Sequence, residues 1–140
     1  MATNKLSQYA NVQALEAVMR KTQSPATGSV YLALLTAAPS DTNLTMAAVT
    51  EYGATGYARQ VFGPGSATAA EPSVIANGGT ITFGPFTAGT GATISHWAIC
   101  DASSGTTANI IATGALTTSR TPATGDSAQA AAGAFTVSNN

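Results

Sequence analysis

The chain has 140 residues, a formal net charge of −1 and a single cysteine, and only 8% of its residues are charged. That length suits one domain, and five Lys and Arg against six Asp and Glu leave no electrostatic footprint for nucleic acid. No apolar run approaches the roughly 18 residues of a membrane span, no apolar leader region opens the chain, and Cys100 alone excludes an internal disulfide and a thiolate zinc site.

Ala, Thr, Gly and Ser fill 77 of the 140 positions, and only 24 residues are Leu, Ile, Val or Phe. With net charge near zero and those large residues clustered, the pattern is that of a folded, small-residue-rich β protein, not of a disordered chain. Residues 5–21 carry a helical rhythm, with Leu6, Tyr9, Val12, Leu15 and Met19 at spacings of three and four. Asn4 or Ser7 suits its cap, and Arg20 and Lys21 suit its C-terminal dipole. Pro25 and Gly28 end it.

Strands and loops follow. Residues 29–36 are apolar on both alternating faces, as in a central strand. Residues 37–56 form a long connection, a kind of segment that often serves binding. Residues 57–62 alternate, placing Tyr57, Arg59 and Val61 on one face. Residues 73–76 read as a short strand, and Asn77-Gly78 predicts a tight turn into residues 80–83. Residues 93–100 are the best strand of the second half, and residues 109–113, 114–118, 127–132 and 134–137 continue the series between turn signals. The expectation is a mainly β domain over residues 1–140. It pairs a helix at 5–21 with an antiparallel sandwich or barrel-like unit of seven or eight short strands at 29–138.

Chemistry-bearing residues are few. His96 and Trp97 alternate on a strand and so face opposite ways, and His96 reads as a satisfied structural histidine. Cys100 is about 13 Å along an extended strand from His96, too far for activation, and reads as a buried small hydrophobe. Asp41, Asp101 and Asp126 sit in turn contexts, and Glu16, Glu51 and Glu71 are scattered. No catalytic, cofactor or metal constellation is expected, and the chain is read as a non-enzyme. A neutral Thr, Ser, Ala, Gly and Asn surface predicts instead a homo-oligomer held by apolar and hydrogen-bonded contacts.

Several segments in order carry a resemblance: residues 6–10 (LSQYA), 28–42 (GSVYLALLTAAPSDT), 56–60 (GYARQ), 77–83 (NGGTITF), 94–105 (ISHWAICDASSG), 114–118 (GALTT), Gly125-Asp126, and 132–137 (AGAFTV). The chain resembles a family of small virion proteins of tailed bacteriophages, described as capsid decoration (cement) proteins or as tail-fibre-like proteins. The resemblance implies a β-rich structural protein without catalytic residues, assembled in the bacterial cytoplasm. As a cement protein it would be trimeric and would bridge major capsid proteins on the outer capsid surface. The alternative is a tail or fibre component for host attachment, with Tyr52, Tyr57 and Trp97 as its candidate sugar-contacting aromatics. The candidate contact residues are Leu6, Tyr9 and Val12 on the helix, and Asp41, Asn43, Leu44 and Met46 on the long connection.

Overall fold

The computed structural model describes residues 5–19, 28–69 and 72–139. A two-residue strand β1 (Lys5–Leu6) leads into α1 (Gln8–Met19), and eight further strands follow. These are β2 (Tyr31–Leu35), β3 (Gln60–Val61), β4 (Ser73–Ala76), β5 (Ile81–Phe83), β6 (Ile94–Cys100), β7 (Ile110–Arg120), β8 (Ala128–Ala130) and β9 (Thr136–Asn139). Seven strands form one sheet in the order β3-β2-β6-β7-β1-β9-β4, and β5 and β8 form a second, two-stranded sheet. Pairing is antiparallel throughout except for the short β1–β9 contact. The fold is therefore mainly β with one helix near the N-terminus, and its main sheet is open, not closed into a barrel.

Period-two alternation explains the core. On β2, Leu32 and Leu34 point into one cluster, with Trp97, Ile99, Phe83, Phe86 and Phe135, while Ala33 and Leu35 point into a second, with Ala98, Cys100, Ile110 and Met46. Leu34 lies opposite Trp97 and Ala33 opposite Ala98, so each cluster runs across the β2–β6 pair on its own face. The β5–β8 sheet supplies Ile81 and Phe83 to the first cluster, and the connection after β2 supplies Met46 to the second. The second face is lined by small residues such as Ala33, Ala98 and Ala108, which lets a loop lie directly on the sheet. The doubly apolar 29–36 segment thus holds β2, buried on both faces as its composition predicts but second from the sheet edge and not central.

The helix departs from expectation at its start. Lys5 and Leu6 pair with Thr113 and Ala112 of β7. Ser7 then caps α1: its Oγ accepts the Ala10 amide (3.2 Å) and donates to the Ile110 carbonyl. A side chain able to serve the helix and the sheet at once fixes the boundary one residue before Gln8. The expected C-terminal cations Arg20 and Lys21 lie outside the described residues.

Asn77-Gly78 does not make a hairpin. Strand β4 pairs with β9 and β5 with β8, so the chain changes sheets at this corner. Asn77 is buried, donates from Nδ2 to the Gly79 and Ala131 carbonyls (2.8 and 2.9 Å) and accepts the Phe135 amide at Oδ1 (2.9 Å). Its amide ties together three backbone segments, which outweighs the local turn preference. The predicted strands at 109–113 and 114–118 are one continuous strand, β7, and the 57–62 segment pairs only at Gln60 and Val61.

Gly56 marks a close crossing. It has φ +92°, and a Cβ there would run into the Pro85 carbonyl. The adjoining Thr55 exchanges backbone hydrogen bonds with Ala88 and Thr87 (2.7 and 2.8 Å).

Candidate functional site

Residues 37–56 are less a free loop than a fitted cover. Thr36 and Tyr52 amides donate to the Thr50 and Leu34 carbonyls (3.0 and 2.8 Å), while Met46 and Ala47 amides donate to Ala108 and Thr106 (both 2.9 Å). At its tip the Asn43 Oδ1 accepts the Ser40 amide (2.7 Å). Around this tip Leu6, Ser7, Ser40, Asp41, Asn43, Ile110 and Thr113 line a small crevice. Three of the sequence-predicted contact residues, Leu6, Asp41 and Asn43, thus become neighbours although they are distant in the chain.

The other predicted contact residues separate. Met46, 3% exposed, belongs to the core and offers nothing to a partner, whereas Leu44 is 45% exposed at the surface. Leu6 packs against the main cluster and Tyr9 is half-buried. Val12 (49% exposed) continues instead into Leu15 (64%) and Met19 (76%), an apolar stripe that the helical spacing contained but the selection of Leu6 and Tyr9 missed. Val61 on the edge strand β3 is also exposed.

The polar centre of the molecule is Arg59. Its Nε and Nη2 grip both oxygens of Glu51 (2.8 and 2.7 Å), and its other donors reach the Ala102 and Gly105 carbonyls (3.1 and 2.9 Å). The Tyr57 hydroxyl donates to Glu51 Oε1 (2.7 Å) and accepts the Leu34 amide (3.1 Å). Burial, reinforced by the Glu51 charge, pushes the Tyr57 phenol far above its ordinary range. The network fastens the β2–β3 connection and the β6–β7 loop to β2 and so acts as a brace.

Of the other titratable residues, Cys100 is buried, His96 and Asp101 are half-buried and Asp126 is exposed. Burial raises the Cys100 thiol above its ordinary value, and its Sγ faces the Ala102 and Tyr31 carbonyls (3.4 and 3.7 Å). His96 Nδ1 meets Ser95 Oγ at 2.8 Å, while its Nε2 is enclosed without a partner, so this histidine is only half satisfied. Asp101 accepts the Asn109 amide and side chain (both 2.7 Å), and Asp126 accepts the Ala123 amide (2.9 Å), each closing its own turn. Among the described residues no three His, Cys, Asp or Glu side chains converge as metal ligands. Tyr52 and Trp97 are buried, and Tyr57 is half-buried with its ring stacked on Phe83. The expected aromatic sugar platform is therefore built into the core.

A concavity lies at the open end of the two sheets, where β7 outruns its cover. It has a volume of about 400 Å³. Leu34, Phe83, Ile94, Trp97 and Phe135 form its buried floor, Ala115 to Thr118 and Arg120 one wall, and Ala128 to Ala131 with Ala134 the other. No local pattern of residues points to it, since the gap exists because β5 and β8 are three residues each against eleven in β7.

Over residues 5–138 the chain matches the family described as Podophage GP4 fiber I protein gp80. No curated protein matches it. The match embraces both sheets and nearly every described residue, and the β-rich fold agrees with a structural role. The chain belongs to the podophage GP4 fiber I protein gp80 family, and it is a structural protein of the phage virion.

Proposed function

We propose that this protein is a fibre component of the phage tail apparatus that contributes to host attachment. The observation that carries the reading is the family match across residues 5–138, whose description is a fibre protein. The chemistry is consistent with it. Arg59 and Glu51 serve internal bracing, and the reading assigns the chain no reaction, cofactor or metal. Fibres are assemblies, and the fibre reading takes the chain to be a homo-oligomer. Its contact is the stripe of Val12, Leu15 and Met19, whose three–four spacing is that of a helix–helix seam. The reading takes the oligomer to be a trimer, with one helix contributed by each copy.

The test is copy number per virion, measured against the major capsid protein. The fibre reading expects a few to some tens of copies. Abundance comparable to the capsid protein would overturn it and return the cement reading, in which the protein bridges major capsid proteins on the outer shell.

A further inference from the structure

We propose that the cleft between β7 and β8 binds an acidic monosaccharide unit, its anionic group held by Arg120 at the mouth. The inference rests on the fibre reading for its biological sense, but its chemistry comes from the cleft alone. Protein interiors contain few voids larger than a water molecule, whereas this space of about 400 Å³ lies within the range of small-molecule sites. It is held open by short side chains, with Ala128, Ala130, Ala131 and Ala134 along one wall.

The charge pattern selects the ligand class. In a chain with so few charges, Arg120 stands at the cleft, no Asp or Glu lines it, and the ion pair among described side chains is Arg59 with Glu51. Arg120 thus presents an uncompensated guanidinium beside apolar surface, and its planar fork suits a carboxylate or phosphate. Thr118, on the same face of β7 as Leu116 and Arg120, adds a hydroxyl that both donates and accepts, as ring hydroxyls require. A purely aliphatic ligand would leave all of these groups unmatched. A neutral sugar would leave the arginine unmatched. Each site is expected to be weak, and several copies in one fibre raise the effective affinity through avidity.

The experiment is an amide NMR titration of the full-length protein with sodium glucuronate, glucose 6-phosphate and glucose at matched ionic strength. The proposal expects saturable shifts confined to residues 115–120 and 128–135, with at least one acid binding about tenfold more tightly than glucose. Whichever acid binds more tightly identifies the carboxylate or the phosphate as the natural group. Arg120→Gln should erase that preference, and Ala131→Trp, at an exposed wall position, should block binding while leaving the remaining spectrum folded. Equal titration by glucose, shifts scattered outside the cleft, or an unaltered Arg120→Gln would overturn it. If binding fails while copy number still indicates a fibre, only the ligand assignment falls. If the copy number is capsid-like and binding persists, the fibre reading falls alone.

Discussion

The connection between β2 and β3 and the helix α1 carry similar apolar residues, yet the fold uses them in opposite ways. In the connection, Met46 is driven under the sheet onto Ala33, Ala98 and Ile110, and backbone hydrogen bonds on both flanks hold it there. On α1, Val12, Leu15 and Met19 stay in water although a 12-residue helix is marginal by itself. The difference teaches where each type of apolar residue acts. The loop's Met46 acts on folding, and the helix's are the ones we propose to act on assembly.

The sharpest way to break that comparison uses two residues of the same connection. Met46→Ala removes a buried side chain and should cost about 2–4 kcal/mol, read as a lower urea midpoint. Leu44→Ser, two positions away and exposed, should stay within about 0.5 kcal/mol. Equal losses at both would mean the tip is packed in solution. Next in size is the brace. Arg59→Ala strands the Glu51 carboxylate against Tyr57 and frees the Ala102 and Gly105 carbonyls. Because Glu51 is a quarter exposed, water compensates part of the loss, and a cost of about 2–3 kcal/mol is expected, below the range for fully buried pairs.

Why one of these regions was readable and the other was not follows from the range of the forces involved. Strand β2 was legible because eight consecutive residues declare two buried faces, and β6 because Trp97 and Ile99 alternate with Ala98 and Cys100. Asn77 was misread because its turn propensity is local while its three hydrogen-bond partners come from residues 79, 131 and 135. The cleft was invisible because it arises from a mismatch in strand length between two sheets. The helical rhythm of α1 was plain, but periodicity alone does not say whether a sheet or another molecule receives the apolar face. The same holds for Arg59, whose partner Glu51 is eight residues away across a bend.

Alkaline pH sharpens the comparison further, since the groups that burial keeps protonated belong to the braced side of the molecule. The Tyr57 phenol and the Cys100 thiol are held above their ordinary values of 10.0 and 9.0, both chiefly by burial. In the unfolded chain each ionises near its ordinary value, while the native state retains the proton. Stability is therefore complete below about pH 9 and falls as pH rises, with a limiting slope of about 1.4 kcal/mol per pH unit for each group. Urea midpoints from pH 7 to 11 should show that decline. Tyr57→Phe, which cannot ionise, should flatten it between pH 10 and 11 while lowering stability at pH 7 through the loss of its two hydrogen bonds. A pH-independent midpoint would mean that neither group stays buried in solution.

The smallest expected effect on the fold is the most informative about assembly. Leu15 is exposed in the single chain, so Leu15→Glu should alter the stability of an isolated protomer by no more than about 0.5 kcal/mol. In an oligomer joined through α1 the same change places one carboxylate from each copy against an apolar seam and against its own equivalents, where desolvation and like-charge repulsion act together. Sedimentation should then show the wild type associated and Leu15→Glu monomeric at the same concentration, with matching circular dichroism. Because the contacts of Val12, Leu15 and Met19 are apolar, added salt should not weaken the wild-type association. Association that survives Leu15→Glu but weakens steeply with salt would move the contact away from the helix.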